Sequence, residues 1–188
     1  YSSAHDTYIE QDNASTTHAS ALTLTVDKQV TNGPAQGLIR FDNIIGNGAG
    51  QVPLGATVLT AKLMVKTGGG TNDKTQGLAD IHRMLVSWDE ATATWSSTGS
   101  GIATDGSEAS ASYDFMAMGD RLSLPVSFDV TASVQAWANG AANYGWLLTP
   151  ETTDGWVFNS SDAATSTDRP YQEVTYVVPE PGMLSLVT

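Results

Sequence analysis

The side chains of this chain that could do chemistry are aromatic and acidic rather than nucleophilic. The 188 residues include no cysteine, and the three histidines (His5, His18 and His82) follow no spacing typical of a catalytic triad or a metal site. No G-x-S-x-G sequence surrounds a serine. The neighbouring carboxylates Asp89 and Glu90 fall in a predicted loop, where such pairs are usually solvated. The sequence therefore predicts that the protein is not an enzyme.

Aromatic side chains suit carbohydrate binding, because an exposed ring stacks on a sugar face while nearby polar groups bind the hydroxyls. The candidate platforms are Trp88, Trp95, Tyr113 and Trp156. For Trp88 and Trp95 the alternative is that both indoles anchor the loop between them. Trp137 and Trp146 are predicted to lie in the core.

Carboxylate and amide groups in predicted loops are candidate ligands of a structural Ca²⁺, which takes about six to eight oxygens. Their spacing is not that of an EF-hand, so solvation is the alternative for each of them. The candidates are Asp12, Asn13, Asp154, Asp162 and Asp168.

The chain is strongly acidic, with a net charge of -12 and a pI near 4.3. Nucleic acids and anionic membrane surfaces are bound through basic patches, so neither is an expected partner. An anionic polysaccharide would also be repelled unless a cation intervened. The length and the hydrophobic content of 40% favour one domain with a substantial core.

Short apolar runs that alternate with polar residues predict strands along the whole chain. The predicted strands lie near Tyr8 and Ile9 and at residues 21–26, 37–42, 57–67, 78–86, 144–149, 156–158 and 171–178. Residues 96–120 read as a long loop with one short edge strand at most. With no βαβ rhythm, this pattern predicts an all-β antiparallel jelly-roll β-sandwich with one short helix at about 130–138.

The predicted helix lies between two strands in the stretch 127–150. Asp129 is a good N-cap, and Val130, Val134 and Trp137 follow at helical spacing. Asn139-Gly140 ends the helix, because glycine adopts the left-handed conformation without a Cβ penalty. We expect this helix to close one end of the sandwich.

Two polar residues lie inside predicted strands. For Arg40 we expect a structural ion pair, or an aliphatic part of the side chain that lies along the sheet. His82 has no His or acidic partner at a ligand spacing, so we expect a hydrogen-bonded or surface histidine rather than a metal ligand.

Several short motifs follow one another in the order found in the DNRLRE domain. They are Asp6-Thr7-Tyr8-Ile9, residues 38–42 (LIRFD), 53–63, Trp88 to Trp95, 129–137 (DVTASVQAW), 144–148 (YGWLL) and 169–176. The chain thereby resembles that family and carbohydrate-binding modules of family 96. The resemblance implies a jelly-roll domain over residues 1–177 and carbohydrate binding.

The segment 178–188 is a Pro-Glu-Pro linker with an apolar tail too short to span a bilayer. Val178-Pro179-Glu180-Pro181 resembles the start of a PEP-CTERM sorting signal, although a chance linker is the alternative. The resemblance implies a secreted, extracellular or cell-surface protein of a Gram-negative bacterium. The start at Tyr1 favours a mature chain from which a signal peptide has been removed.

Two functions remain open on these observations. The main prediction is a non-catalytic structural protein that assembles head-to-tail with copies of itself into a filament by donating a terminal strand. The donor side chains would be Met183, Leu184, Leu186 and Val187, or at the other end Tyr8 and Ile9. The alternative is a carbohydrate-binding module or adhesin that recognises polysaccharide.

Overall fold

The computed structural model describes residues 1–2, 4–29 and 33–179. Within these residues the chain forms ten strands, one α-helix (α1, Thr131–Ala138) and a 3-10 turn at Ser166–Asp168. The strands are β1 (Ala4–Glu10), β2 (Thr23–Val26), β3 (Ala35–Phe41), β4 (Thr57–Lys66), β5 (Ala79–Arg83), β6 (Phe115–Ala117), β7 (Pro125–Asp129), β8 (Trp146–Pro150), β9 (Trp156–Asn159) and β10 (Tyr171–Val177). No described helix has the length and apolar character needed to cross a membrane.

All strand pairs are antiparallel. They form a five-stranded sheet in the order β1-β3-β8-β5-β6, a three-stranded sheet β10-β4-β7 and the pair β2-β9. A bridge between Thr67 and Phe158 connects the end of β4 to β9. This arrangement confirms the predicted fold class.

The main core fills the space between the sheets. Strand β4 shows how the sequence builds it: Val58, Ala61, Leu63 and Val65 are buried, as their pattern predicts. Val58 and Ala61 are three residues apart, yet both face inward, because the ladder slips by one residue and leaves Leu59 unpaired and half exposed. The β-bulge therefore reconciles an irregular sequence pattern with one buried face.

A second apolar cluster covers the outer face of the five-stranded sheet. Leu38 and Leu147 pair across β3 and β8 and point to this face, where Trp95, Ile102 and Ala109 of the long loop cover them. Strand β3 is therefore buried on both faces. This packing confirms that the loop around Trp95 is anchored by its indole.

The helix begins one residue later than predicted. Val130 is the N-cap and has no side-chain cap, while the Asp129 carboxylate accepts a hydrogen bond of 3.0 Å from the Thr131 N–H. Val134 and Trp137 are fully buried, as their spacing predicts. Asn139 is the C-cap, and Gly140 follows it at φ +102°, which confirms the predicted end. Strand β2 also begins later than the strand predicted at residues 21–26, so Leu22 precedes it and is exposed.

Gly145 is required where β8 begins beside β3. It lies at φ +73°, and a Cβ atom there would come 2.2 Å from the Ile39 carbonyl oxygen. We expect Gly145→Ala to lower the unfolding free energy by about 3 kcal/mol, from left-handed strain and a clash with backbone that cannot move aside. Urea unfolding measures this loss.

Gly55 provides a matched control for this substitution. Its φ is +80°, but open space surrounds the position of its Cβ. Gly55→Ala should therefore cost only the conformational strain, about 1 kcal/mol. Equal losses in the two variants would contradict a steric role for Gly145.

Candidate functional site

A polar groove of about 610 Å³ lies beside β2 and β9. Three segments far apart in the sequence form it: residues 25–29, 71–76 and 153–157. The residues that line it include Thr25, Asp27, Gln29, Asn72, Lys74, Thr75, Gln76, Asp154, Gly155 and Val157.

Strand pairing and backbone hydrogen bonds hold these segments together. Thr25 pairs with Val157 across β2 and β9. The Val157 N–H then donates to the Asp73 carbonyl oxygen at 2.9 Å, and Gly68 N–H donates to the Val157 carbonyl oxygen at 3.0 Å. The loop that follows β4 is thereby attached to β9 by two backbone hydrogen bonds of Val157.

Asp154 holds the segment 71–76 of the groove in place. Its carboxylate oxygen Oδ2 accepts a hydrogen bond of 2.8 Å from the Gln76 N–H, and its carbonyl oxygen accepts one of 2.5 Å from the Thr75 hydroxyl. The Thr75 hydroxyl oxygen in turn accepts the Gly77 N–H at 2.9 Å. The backbone that carries Asn72, Lys74 and Gln76 is thus held in place without using their side chains.

Asp27 lies across Gly155. A Cβ atom at position 155 would be 2.7 Å from Asp27 Oδ2, so a larger residue there would displace this carboxyl group. Burial raises the pKa of Asp27 above its ordinary value, and the nearby Asp154 carboxylate raises it further. Two acidic side chains therefore face one groove, where they can accept hydrogen bonds.

The remaining groups around the groove are free to bind a ligand. Asn72, Lys74 and Gln76 are exposed, and their side chains make no hydrogen bond to another described residue. Amides both donate and accept, ammonium groups donate and carboxylates accept. Such a mixed set beside the apolar Val157 suits a ligand that carries many hydroxyl groups.

A second, smaller cleft of about 440 Å³ lies against Trp88. The half-buried indole donates its N–H to the Tyr144 carbonyl oxygen at 2.7 Å. The Arg40 guanidinium lies over the ring, with its Cζ atom 5.1 Å from the ring centroid, and its Nη1 donates to the Trp88 carbonyl oxygen at 3.1 Å. Arg40 also pairs with Asp42 at 2.8 Å, which confirms the structural ion pair expected for it.

Two of the four predicted sugar platforms are wrong, because their rings are buried. Trp156 is 1% exposed and donates its indole N–H to Thr67 Oγ1 at 3.0 Å, and Trp95 is 8% exposed inside the second cluster. Tyr113 is half exposed, but it meets His82 edge-on and lines neither cavity. Trp88 is therefore the one predicted platform that faces one of these two cavities.

The other predicted polar sites are dispersed. His82 is buried with Nδ1 2.8 Å from the Ser110 carbonyl oxygen, so it is the satisfied histidine that the sequence predicts. Over residues 1–2, 4–29 and 33–179, no three His, Cys, Asp or Glu side chains are grouped so that they could hold a metal.

The structure thus does not bring the predicted calcium ligands together. Asp168 pairs with Lys66 at 2.5 Å, and Asp154 holds the groove wall. Asn13 donates to Glu10 at 2.8 Å in the turn after β1, where Asp12 also lies, while Asp162 follows β9. Calcium binding by any of them stays a prediction.

Tyr8 and Ile9 are not a free donor arm, contrary to the prediction. Both belong to β1, which pairs with β3 of the same chain over its whole length. Ile9 is fully buried, and Tyr8 stacks on His18 with ring centroids 3.9 Å apart. The other predicted donors, Met183, Leu184, Leu186 and Val187, lie outside the described residues.

Comparison with known proteins gives one match over nearly the whole chain. The model of carbohydrate-binding module family 96 matches residues 1–176. Curated relatives include the tRNA nuclease WapA of Bacillus subtilis strain 168 and the tRNA3(Ser)-specific nuclease WapA of Bacillus spizizenii. Each is 42% identical over 55 residues, which is 29% of this chain and 2% of the relative. The match thus covers a very small part of each relative's length.

Proposed function

The chain belongs to carbohydrate-binding module family 96, and on this basis we propose that it binds a polysaccharide in the polar groove between β2, β9 and the loop 67–78. Modules of this kind hold a carbohydrate and do not cleave it. One observation carries the choice of site: this groove of about 610 Å³ presents exposed amide and ammonium groups beside two carboxyl groups on a fixed backbone.

Each sugar hydroxyl can donate one hydrogen bond and accept others. The amides of Asn72 and Gln76 can meet two neighbouring hydroxyls, Asp27 can accept from a third, and Lys74 can donate to ring or hydroxyl oxygens. Val157 and Gly155 leave an apolar strip for the C–H groups of the sugar. Because Asp154 already orders the loop, binding requires little further ordering of the backbone.

Charge sets the expected preference among polysaccharides. With a net charge of -12 and two acidic groups in the groove, a polyanionic chain is repelled unless a cation intervenes. Neutral glucans and mannans on one side, and polyuronates with and without Ca²⁺ on the other, are the two arms of the binding screen. The screen also tests whether Ca²⁺ acts as a bridging ion.

The double variant Asn72→Ala with Gln76→Ala tests the groove. Each substitution removes the hydrogen bonds of one amide to the ligand, with a net contribution of about 1 kcal/mol to the binding free energy. We therefore expect the dissociation constant to rise by about tenfold to a hundredfold. Affinity gel electrophoresis against the polysaccharide panel, followed by calorimetry with the best ligand, measures the change. The unfolding midpoint should not move, because neither side chain bonds to another described residue.

The matched control is Gln11→Ala with Asn47→Ala, two exposed amides that do not line the groove. This control should bind as tightly as the unmodified chain. A groove variant that binds as tightly as the control would reject the site, and retardation by no polysaccharide would reject the function.

Self-assembly is the second candidate, and the edge of β10 favours it. In the described part of the chain, only Tyr1 pairs with the outer side of β10, by mutual backbone hydrogen bonds of 2.8 Å with Gln172. The backbone N–H and C=O groups of Val174 point to the same side as those of Gln172. An extended segment of another copy could therefore pair with this edge of β10 as an added strand. The segment 183–187 is the proposed donor, in a filament outside a Gram-negative cell.

Removal of residues 178–188 tests this second function. Negative-stain microscopy should show filaments for the full chain and separate particles for the truncated chain. The truncation leaves the groove intact, so polysaccharide binding should be retained. Separate particles at every concentration of the full chain would reject the assembly.

A further inference from the structure

The Trp88 cleft has the features of a sugar platform that is distinct from the polar groove. We infer that it is a second subsite, which takes the apolar face of a pyranose ring against the indole. The inference rests on the proposed polysaccharide binding and adds a site to it. The two cavities share no lining residue, so each can be tested without disturbing the other.

The indole is fixed before any ligand arrives. Its N–H donates a hydrogen bond to the Tyr144 carbonyl oxygen at 2.7 Å. Arg40 packs its guanidinium over the ring and donates a hydrogen bond to the Trp88 carbonyl oxygen. An aromatic ring that is already immobile loses little conformational entropy when a sugar stacks on it. Purely structural tryptophans of this chain, such as Trp137 and Trp146, are fully buried, whereas Trp88 borders an open cleft.

The loop around the cleft is equally rigid. Asp89 Oδ1 accepts hydrogen bonds from the Ala91 N–H at 3.0 Å and the Thr92 hydroxyl at 3.2 Å. Thr94 and Ser97 exchange side-chain and backbone hydrogen bonds of 2.9 and 3.0 Å. Hydroxyl and carboxylate oxygens of Asp89, Thr92 and Ser97 therefore line the cleft at fixed positions, where a sugar could bond to them.

The volume of the cleft sets the size of its ligand. About 440 Å³ lies within the range of small-molecule sites, about 300–1,000 Å³, and accommodates one or two sugar units rather than a long chain segment. A polymer that engages both the groove and this cleft would gain affinity through multivalency, without any new contact.

Tryptophan fluorescence offers a direct test. Among the five tryptophans, Trp88 is the most exposed, so acrylamide quenches mainly this residue. The probes are cellohexaose, mannohexaose, xylohexaose and hexagalacturonate. We expect at least one of them to lower the quenching constant about twofold or more in the unmodified chain and equally in Asn72→Ala with Gln76→Ala.

A variant that fills the Trp88 cleft tests whether the protection from quenching depends on this cleft. Ser87 lines the cleft, is exposed and makes no hydrogen bond to another described residue, so Ser87→Tyr fills the cleft while leaving Trp88 and its bonds in place. Ser87→Tyr should abolish the protection, and Ser20→Tyr, at an exposed site elsewhere, should retain it. Trp88→Phe, which removes the fluorescent reporter and is therefore measured by calorimetry, should weaken the binding.

The outcomes separate this inference from the proposed function. Protection that survives the groove substitutions and is lost in Ser87→Tyr supports the second subsite. Calorimetric binding that requires Asn72 and Gln76, with Trp88 quenched as in the free chain, overturns the second subsite and leaves the groove. Protection that Ser87→Tyr retains overturns it too, and no binding of any probe overturns both sites.

Discussion

Replacing Trp137 with alanine is expected to lower the unfolding free energy by about 3 to 5 kcal/mol. The indole is fully buried, and its ring centroid lies 4.8 Å from that of Trp146. Its removal leaves a large cavity between the helix and the sheets, which a close-packed core can fill only in part. Since small domains are stable by about 5–15 kcal/mol, the loss is a large share of the total.

Urea and thermal unfolding measure this effect, and we expect the thermal midpoint to fall by roughly 6 to 20 °C. Trp137→Phe is the graded control. The indole N–H has no hydrogen-bond partner among the described residues, so phenylalanine removes volume without breaking a bond and should cost less than half as much. Ala132→Ser, at an exposed helix position, should be nearly neutral. A loss below 1 kcal/mol for Trp137→Ala would mean that α1 does not contribute to the core as described.

The second large effect is a loss of stability with rising pH, carried by Asp6. This side chain is 2% exposed, and its carboxyl group accepts hydrogen bonds from the Ser161 N–H at 2.8 Å and the Ser161 hydroxyl at 3.2 Å. Burial raises the pKa of Asp6 to about 7, with the nearby Glu90 and Asp162 charges acting in the same direction. In the unfolded chain the pKa is about 4.

The sign of the effect follows from proton binding. Between these two pKa values the folded chain holds a proton that the unfolded chain has lost, so stability falls as pH rises and levels off above about pH 8. From pH 5 to pH 9 the contribution of Asp6 is a fall of about 3 kcal/mol. Burial and the neighbouring Glu151 carboxyl also raise the pKa of Asp80 to about 7, which adds to the fall in the same window.

Asp6→Asn isolates the contribution of Asp6, because the amide resembles the protonated carboxyl group and can still accept the Ser161 N–H. Urea unfolding at pH 5, 7 and 9 should show a shallower pH dependence for this variant than for the unmodified chain. Asp12→Asn removes one charge at an exposed site and should keep the original slope. Parallel pH profiles for Asp6→Asn and the unmodified chain would refute the role of Asp6.

Asp6 shows which of its properties can be predicted from the sequence and which cannot. The run Asp6-Thr7-Tyr8-Ile9 is one of the motifs that resemble a known family, and it predicts a strand, which the structure confirms as part of β1. Its alternation does not show that the acidic residue faces a buried position. That position exists because Ser161, at the other end of the domain sequence, meets β1.

The aromatic residues divide in the same way. Helical spacing predicts the buried face of Val134 and Trp137, because a short helix buries residues that recur every three or four positions. Nothing local separates Trp88 from Trp95 or Trp156. Whether a ring is exposed depends on the distant segment that packs on it: the second cluster for Trp95 and Phe128 for Trp156.

The sequence by itself determined the all-β class, the positions of most strands, the short helix and the structural role of Arg40. Periodicity, capping residues and turns depend on a few neighbouring positions, so they can be recognised from a single sequence. Only the tertiary structure decided the groove, whose residues the sequence divides among two predicted strands and the stretches between predicted strands. Its three segments, 25–29, 71–76 and 153–157, meet because β2 pairs with β9 and the loop after β4 bonds to β9. Contacts between residues so far apart arise from the packing of the whole domain, and no local pattern encodes them.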